Sequence, residues 1–290
     1  MLAPRKIRCG ERGAAGTPAI SGVDSSRGDF VEQGLIRELW AFRELAYFLA
    51  WRDIKVRYKQ TVFGVLWAVI QPFFTMLIFT VLFARLADVP TDGMPGPIFY
   101  FSALVPWIYF SSTVGNAGMS LISNSGLLTK IYFPRVILPT AVALSTAVDF
   151  LVSTVLLIGF MIYYGVPIGW NLLLWIGLLL VLMLLALGLG TFFAALNVKY
   201  RDVKYALPFL IQLLLFVTPI IYPASLVPER YQWLLTLNPL GAVIDAFRRA
   251  AVNRSIDWNS LGISVAITVA LLVIGVAYFR STEKAMADLI

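Results

Sequence analysis

The chain has 290 residues, 59% of them hydrophobic and 13% charged, with a mean hydropathy of +0.82. A soluble domain is about 45–50% apolar and about 25% charged, so an ordinary water-soluble fold is excluded and membrane spans are counted before domains. The net charge of +7 then belongs to the flanks of spans rather than to a nucleic-acid surface, and one cysteine (Cys9) with no histidine excludes an intrachain disulfide, a Cys/His metal site and an imidazole base.

Residues 1–33 are rich in Gly, Ser and charge and lack the apolar core of a signal peptide, which predicts a flexible tail. In residues 34–61 the apolar positions Leu35, Leu39, Phe42, Ala46 and Leu49 step by four and three, with Arg37, Glu44 and Lys55 roughly opposite. That stripe predicts an amphipathic helix in the membrane interface, serving either as an anchor or as a docking surface for a cytoplasmic partner.

Six apolar runs follow, at about 62–84, 98–122, 136–164, 172–196, 206–222 and 261–279. They are continuous rather than alternating, so helices are expected and not a barrel. The fifth is short and carries two prolines. Between it and the sixth, residues 223–255 hold two short helical patterns divided by Asn238-Pro239. Pro228 and Glu229 suit a first turn, and Asp245 and Arg249 form an i,i+4 pair. Too short to span and too apolar for a wet loop, this segment predicts a re-entrant outer hairpin, or an outer-leaflet anchor. The expected fold is therefore an all-α integral membrane protein of six transmembrane helices, with a short tail at 281–290.

Orientation follows from the cations. With the N-terminus inside, thirteen Lys and Arg fall in the inner segments 36–61, 123–135, 197–205 and 280–290. Only Arg85, Arg230, Arg248, Arg249 and Arg254 fall outside, so both termini are expected in the cytoplasm.

Asp149 lies mid-way along the third run, where an ionised carboxylate costs about 2.5–3.5 kcal/mol. It reads either as a group on a substrate path or as a hydrogen-bonded helix contact. Gln71 and Asn116 read as glue between helices. Phe99, Tyr100 and Phe101 read as an aromatic belt at the outer edge. Trp107, Tyr109 and Phe110 lie about 13–18 Å deeper and would either line a path for a sugar chain or pack against neighbours. No GxxxxGK[ST] motif occurs, and the glycines of LALGLGTFFAAL (185–196) read as close helix packing.

The loop LLTKIYFPRVILP interrupts this oily chain with Lys130 and Arg135. Leu127, Leu128, Ile131 and Tyr132 give it an apolar face suited to a partner's pocket. Pro134 and Pro139 fit the junction with the third run.

Four stretches in order carry a family likeness: RDIKVRYKQTVFGVLWAVIQP, LVPWIYFSSTVGNAGMSLISNSGLLTKIYFPRVILP, NVKYRDVKYALP and VTPIIYPASLVPERYQWLLTLNPLGAVIDAFR. Over residues 36–280 the chain resembles the membrane permease of type-2 ATP-binding-cassette exporters of O-antigen, capsule or teichoic-acid polymers. The resemblance implies a homodimer bound to two cytoplasmic ATPase subunits, which would hold the ATP and Mg; this chain would hold no cofactor. It implies a channel for a lipid-linked polysaccharide, O-antigen foremost, across the bacterial inner membrane. It places ATPase coupling at Asn124, Leu127, Leu128, Lys130, Ile131, Tyr132 and Arg135, and in the next inner loop at Tyr200, Arg201 and Asp202. The translocation path would fall at Trp107, Tyr109, Phe110 and Asp149, and an outer gate at Pro228, Arg230, Trp233, Asn238 and Pro239.

Two other function classes are open to a chain of this composition. An ion-coupled secondary flippase would need paired intramembrane charges and internal repeats, and only Asp149 is available. A membrane glycan enzyme would need clustered acids, and the hairpin offers Glu229 and Asp245 without a second catalytic feature.

Overall fold

Uncharged runs longer than a bilayer is thick satisfy their backbone polar groups internally, and here they do so as helices. The computed structural model describes residues 35–59, 66–130, 133–200 and 202–289, and all regular structure among them is helical. In chain order the helices are α1 (Leu35–Ala41), α2 (Arg43–Lys59), α3 (Trp67–Phe79, continued by a wider π-helical stretch, Thr80–Leu86), α4 (Gly96–Ser123) and α5 (Ser125–Leu128). There follow α6 (Ile137–Tyr163), α7 (Leu174–Lys199, entered through a 3-10 turn at Trp170–Leu173), α8 (Val203–Val217), α9 (Gln232–Leu237), α10 (Pro239–Ala251) and α11 (Trp258–Leu289). The expected tail at 1–33 lies outside the described residues, as does the start of the first apolar run.

Among the described residues, five helical stretches are long and apolar enough to cross a membrane: Trp67–Leu86, Gly96–Ser123, Ile137–Tyr163, Trp170–Lys199 and Trp258–Glu283. The expected run at 206–222 is a shorter apolar helix, α8, of 15 residues. At about 1.5 Å per residue α8 falls short of a ~30 Å hydrocarbon core. It stops at Thr218, whose backbone is extended (φ −87°, ψ 138°), because Pro219 disfavours a helical residue before it.

The chain divides at Phe42 into two units, Met1–Ala41 and Phe42–Ile290. The single amphipathic helix expected over 34–61 is instead two helices, α1 and α2, interrupted at Phe42. Within α2 the expected stripe holds: Ala46 and Leu49 are buried, joined by Ala50, while Tyr47, Phe48 and Trp51 are exposed.

In the second unit α4 is the hub, packing against α3, α6, α7, α8 and α10. Its sequence explains this. Small residues recur along it, so neighbours approach closely. Ala117 lies against Gly190 of α7, and Thr113 shares a 2.7 Å hydrogen bond with Thr146 of α6. The glycines of α7 behave as the sequence suggests. A methyl on Gly188 would sit 2.8 Å from the Leu272 Cα of α11, and Gly275 of α11 lies directly against the Gly188 carbonyl.

Candidate functional site

One end of the bundle gathers the two loops singled out in the sequence. Asn124 closes α4 and starts α5: its carbonyl accepts from the Leu127 and Leu128 amides (2.9 and 3.2 Å), and its Nδ2 donates to the Ser120 carbonyl (2.9 Å). Its Oδ1 accepts from Arg52 Nη2 of α2 at 2.9 Å, so α2 is tied to this loop. Leu127 and Leu128 are half-buried and Lys130 is exposed. Arg135 is held to α11, its amide donating to Glu283 Oε1 (3.4 Å) and its Nη1 to the Glu283 carbonyl (3.3 Å). Asn197, buried near the end of α7, donates to the Gly118 carbonyl of α4 (3.1 Å), which brings the α7–α8 connection to the same end. There Tyr200 and Asp202 are exposed, and the Lys199 ammonium lies 5.3 Å from the Tyr200 ring centre. Ile131, Tyr132 and Arg201 lie outside the described residues. This end therefore presents a short half-apolar helical turn among exposed cations.

Deeper in the bundle, Asp149 of α6 forms an ion pair with Arg57 and accepts a hydrogen bond from the Tyr58 hydroxyl, both from α2. Of the two readings open for Asp149, the structure supplies the partners for the helix contact. No sequence pattern could name partners some ninety residues away.

The deep aromatics turn inward. Trp107, Tyr109 and Phe110 are 7%, 2% and 1% exposed. The Tyr109 hydroxyl donates to the Ala143 carbonyl (3.3 Å) and its ring meets Phe150 edge-on, while Trp107 and Phe110 pack on each other. They belong to the chain's own core, which is the packing use. Gln71 and Asn116, read as glue, are exposed on α3 and α4, and Gln212, not singled out in the sequence, is exposed on α8. A primary amide facing outward from an apolar helix marks a face that water or protein covers, since lipid cannot satisfy it.

The opposite end carries the hairpin. Its first arm is shorter than its pattern suggested: a 3-10 turn (Glu229–Tyr231) and the six-residue α9. The second arm, α10, starts as read, with Asn238 Oδ1 capping the Leu240 amide (3.2 Å) and Pro239 in the first position. The Asp245–Arg249 pair also forms, at 2.6 Å. The anchor reading of this arm fails, because α10 is buried against α4, α7 and α11. Arg248 of this arm covers Phe99, Phe79 and Phe83 of the α3 stretch cover Tyr100, and Phe160 of α6 covers Phe101, so all three are fully buried and form no belt. Pro228, Arg230 and Trp233 stay exposed, with the Arg230 guanidinium 4.5 Å from the Tyr231 ring centre.

Arg248 was counted in the sequence only as an outer cation, yet it is 2% exposed. Its Nη2 donates to the Pro219 and Ile220 carbonyls, both at 3.1 Å, and its guanidinium lies 3.9 Å from the Phe99 ring centre. Burial pulls its pKa down to about 10, against the opposing pull of Asp245 and Asp92, so it is charged at neutral pH. A readable sign existed: Arg248 follows Phe247 and stands four residues after Ile244, on the apolar side of α10.

Residues 44–252 match the protein family described as ABC-2 type transporter. The chain is 31% identical over 258 residues to an O-antigen export system permease protein of Myxococcus xanthus, covering 88% of this chain and 98% of the relative. It is 28% identical over 244 residues to an O-antigen export system permease protein of Klebsiella pneumoniae (82% and 92% covered). It is 26% identical over 239 residues to a polysialic acid transport protein of Escherichia coli (81% and 92% covered). The matched segment contains both loops, Asp149 and the buried arm of the hairpin.

Proposed function

The chain belongs to the ABC-2 type transporter family, and on that premise we propose that it is the membrane permease of a polysaccharide exporter. It moves a lipid-linked polymer, O-antigen before any other, from the cytoplasm to the outer face of the bacterial inner membrane. Two copies form the channel. Two cytoplasmic ATPase subunits bind ATP and Mg and drive it, and this chain contributes neither cofactor nor catalysis. In this reading the end that carries α5 faces the cytoplasm, both termini lie inside, and α8 with the extended residues after it makes the sixth crossing.

The observation that carries the reading is the meeting of α5, the α7–α8 connection and the Arg135–Glu283 tie at one end of the bundle, with Lys130, Lys199 and Lys204 exposed. That is a docking surface beside helices with no nucleotide loop of their own. The outward amides Gln71, Asn116 and Gln212 support a wet or protein-covered face between two copies. The ion-coupled alternative loses its one candidate carrier, since Asp149 is neutralised by Arg57.

The test is deletion of the gene with plasmid complementation, reading polymer at the cell surface and lipid-linked polymer inside. Internal accumulation restored to export by the wild-type chain, and co-purification of an ATPase subunit, are expected. Unchanged surface polymer on deletion refutes the reading.

A further inference from the structure

At the end opposite α5 a cleft of about 290 Å³ opens between residues 219–225, α9, α10 and the start of α11. Small-molecule sites run from ~300 to ~1,000 Å³, so this one has room for one or two sugar rings and for nothing much larger.

Its polar groups are fixed before any ligand arrives. Asp92 Oδ1 accepts from the Ser225 hydroxyl (3.0 Å). Asp245 Oδ2 accepts from Arg249 Nε (2.6 Å). Asp257 Oδ2 accepts from the Ser260 hydroxyl (2.7 Å), while its Oδ1 takes the amides of Asn259 and Ser260 (3.1 and 3.3 Å). A carboxylate has about four lone-pair sites. Each of these therefore keeps acceptor capacity in an orientation already set by its neighbour, which lowers the ordering cost of binding. Gln232 and Thr236 add an amide and a hydroxyl from α9, and Pro219, Leu235 and Ile256 give the walls an apolar part.

Charge and spacing narrow the ligand. Three carboxylates line the cleft against one cation, Arg249, which Asp245 already pairs. Arg254 lies just outside the lining, its Nη2 on the Asp92 carbonyl (2.7 Å), so an anionic ligand would meet three carboxylates and no unpaired cation within the cleft itself. Among the described residues no group of three or more His, Cys, Asp or Glu could hold a metal ion, so the acids do not close around a cation. Acceptors spread round a half-apolar cleft suit a ring that carries several hydroxyls and no charge.

We propose that this cleft is a binding subsite for an uncharged, polyhydroxylated sugar unit of the transported polymer. The proposal rests on the exporter reading and deepens it: the cargo segment handled at this end is a neutral glycan, not a polyanion.

The experiment uses the full chain in lipid nanodiscs and saturation-transfer NMR. The probes are neutral disaccharides of mannose, galactose, glucose and rhamnose, with a sialic acid dimer as the anionic comparison. At least one neutral disaccharide is expected to show saturable contact. Asp245→Asn and Asp257→Asn, which keep an acceptor oxygen and, at 257, the helix cap, should weaken it by about tenfold each. Thr236→Trp, which fills the cleft, should abolish it, and the sialic acid dimer should not bind. Contact with none of the neutral probes, contact that survives Thr236→Trp, or equal contact by the sialic acid dimer overturns the proposal, as does binding of calcium alone at the same residues. The gene-deletion assay is independent of this readout. Export that depends on the chain without saccharide contact refutes the subsite alone, and saccharide contact with export indifferent to deletion refutes the exporter reading alone.

Discussion

Arg57 of α2 pairs with Asp149 in the middle of α6, and the neighbouring Tyr58 hydroxyl donates to the same carboxylate. The pair fastens a helix with an exposed aromatic face, Tyr47, Phe48 and Trp51, to a membrane-spanning one. Its two ends are not equivalent. Removing Arg57 leaves a carboxylate in an apolar span, whereas removing the Asp149 charge leaves an arginine whose long stem reaches the interface. Arg57→Ala is therefore expected to cost ~1–3 kcal/mol, toward the lower end because both side chains are partly exposed, and Asp149→Asn less. Thermal unfolding of the purified variants in detergent checks the order. Equal losses, or no partial recovery in Arg57→Asp combined with Asp149→Arg, would show that the pair is not the fastening.

Gly188 and Gly275 let α7 and α11 touch backbone to backbone. Gly275→Ala would drive its methyl into the Gly188 carbonyl oxygen, and the two helices must separate. Overpacking of that kind costs about 1–3 kcal/mol. Gly262→Ala, on the same helix, meets nothing within 4 Å and is the control, expected to be neutral or slightly stabilising. Size-exclusion profiles and melting temperatures of the two variants should diverge; a well-behaved Gly275→Ala protein would contradict the contact.

These two contacts mark how far the sequence reads. Spans, turns and caps are local in cause: the apolar runs, the Asn238 cap, the Asp245–Arg249 pair and the stop of α8 before Pro219 follow from neighbours in the chain. Coverage is not local. The belt reading of Phe99, Tyr100 and Phe101 failed because three separate elements cover them, α10 through Arg248, the α3 stretch through Phe79 and Phe83, and α6 through Phe160, and nothing near residue 99 announces it. Trp107, Tyr109 and Phe110 were legible as aromatic and deep, but which way they face was not. For the same reason Asp149 was legible as costly while Arg57 was not legible as its partner. The N-terminal stripe holds at Ala46 and Leu49 of α2, while its continuity does not, since α1 and α2 part at Phe42.

At the docking end, Leu127 and Leu128 are half-buried on a four-residue helix that the Asn124 hydrogen bonds hold in place. In the coupling role proposed above, these leucines fill a pocket of the partner ATPase. Leu128→Asp is expected to leave chain insertion intact and to lower surface polymer by about tenfold, the effect of losing ~1.4 kcal/mol of coupling. The measurement is surface polymer per membrane-inserted chain, together with ATPase activity of the co-purified complex. Export at the wild-type level in a Leu128→Asp, Ile131→Asp chain would remove this loop from the coupling surface.

Arg248 joins three elements: it sits on α10, reaches the carbonyls of Pro219 and Ile220 after α8, and covers the Phe99 ring of α4. Arg248→Met keeps the bulk but strands two buried carbonyls and removes the cation from the ring, a loss of about 2–4 kcal/mol. Arg248→Lys offers one point charge in place of a planar fork and should fall between. The pH dependence has a definite sign. Burial puts the folded pKa at about 10, below that of the free group, so above pH 10 the unfolded chain holds a proton that the folded chain has shed. Stability from this group is then flat across neutral pH and rises as pH climbs above about 10 toward the pKa of the free group. The gap between wild type and Arg248→Met should stay constant from about pH 6 to 9 and widen in favour of wild type above it. A gap that narrows there would mean that the protein raises, rather than lowers, the affinity of this guanidinium for its proton, and that its burial is offset by more than the two carbonyls and the ring.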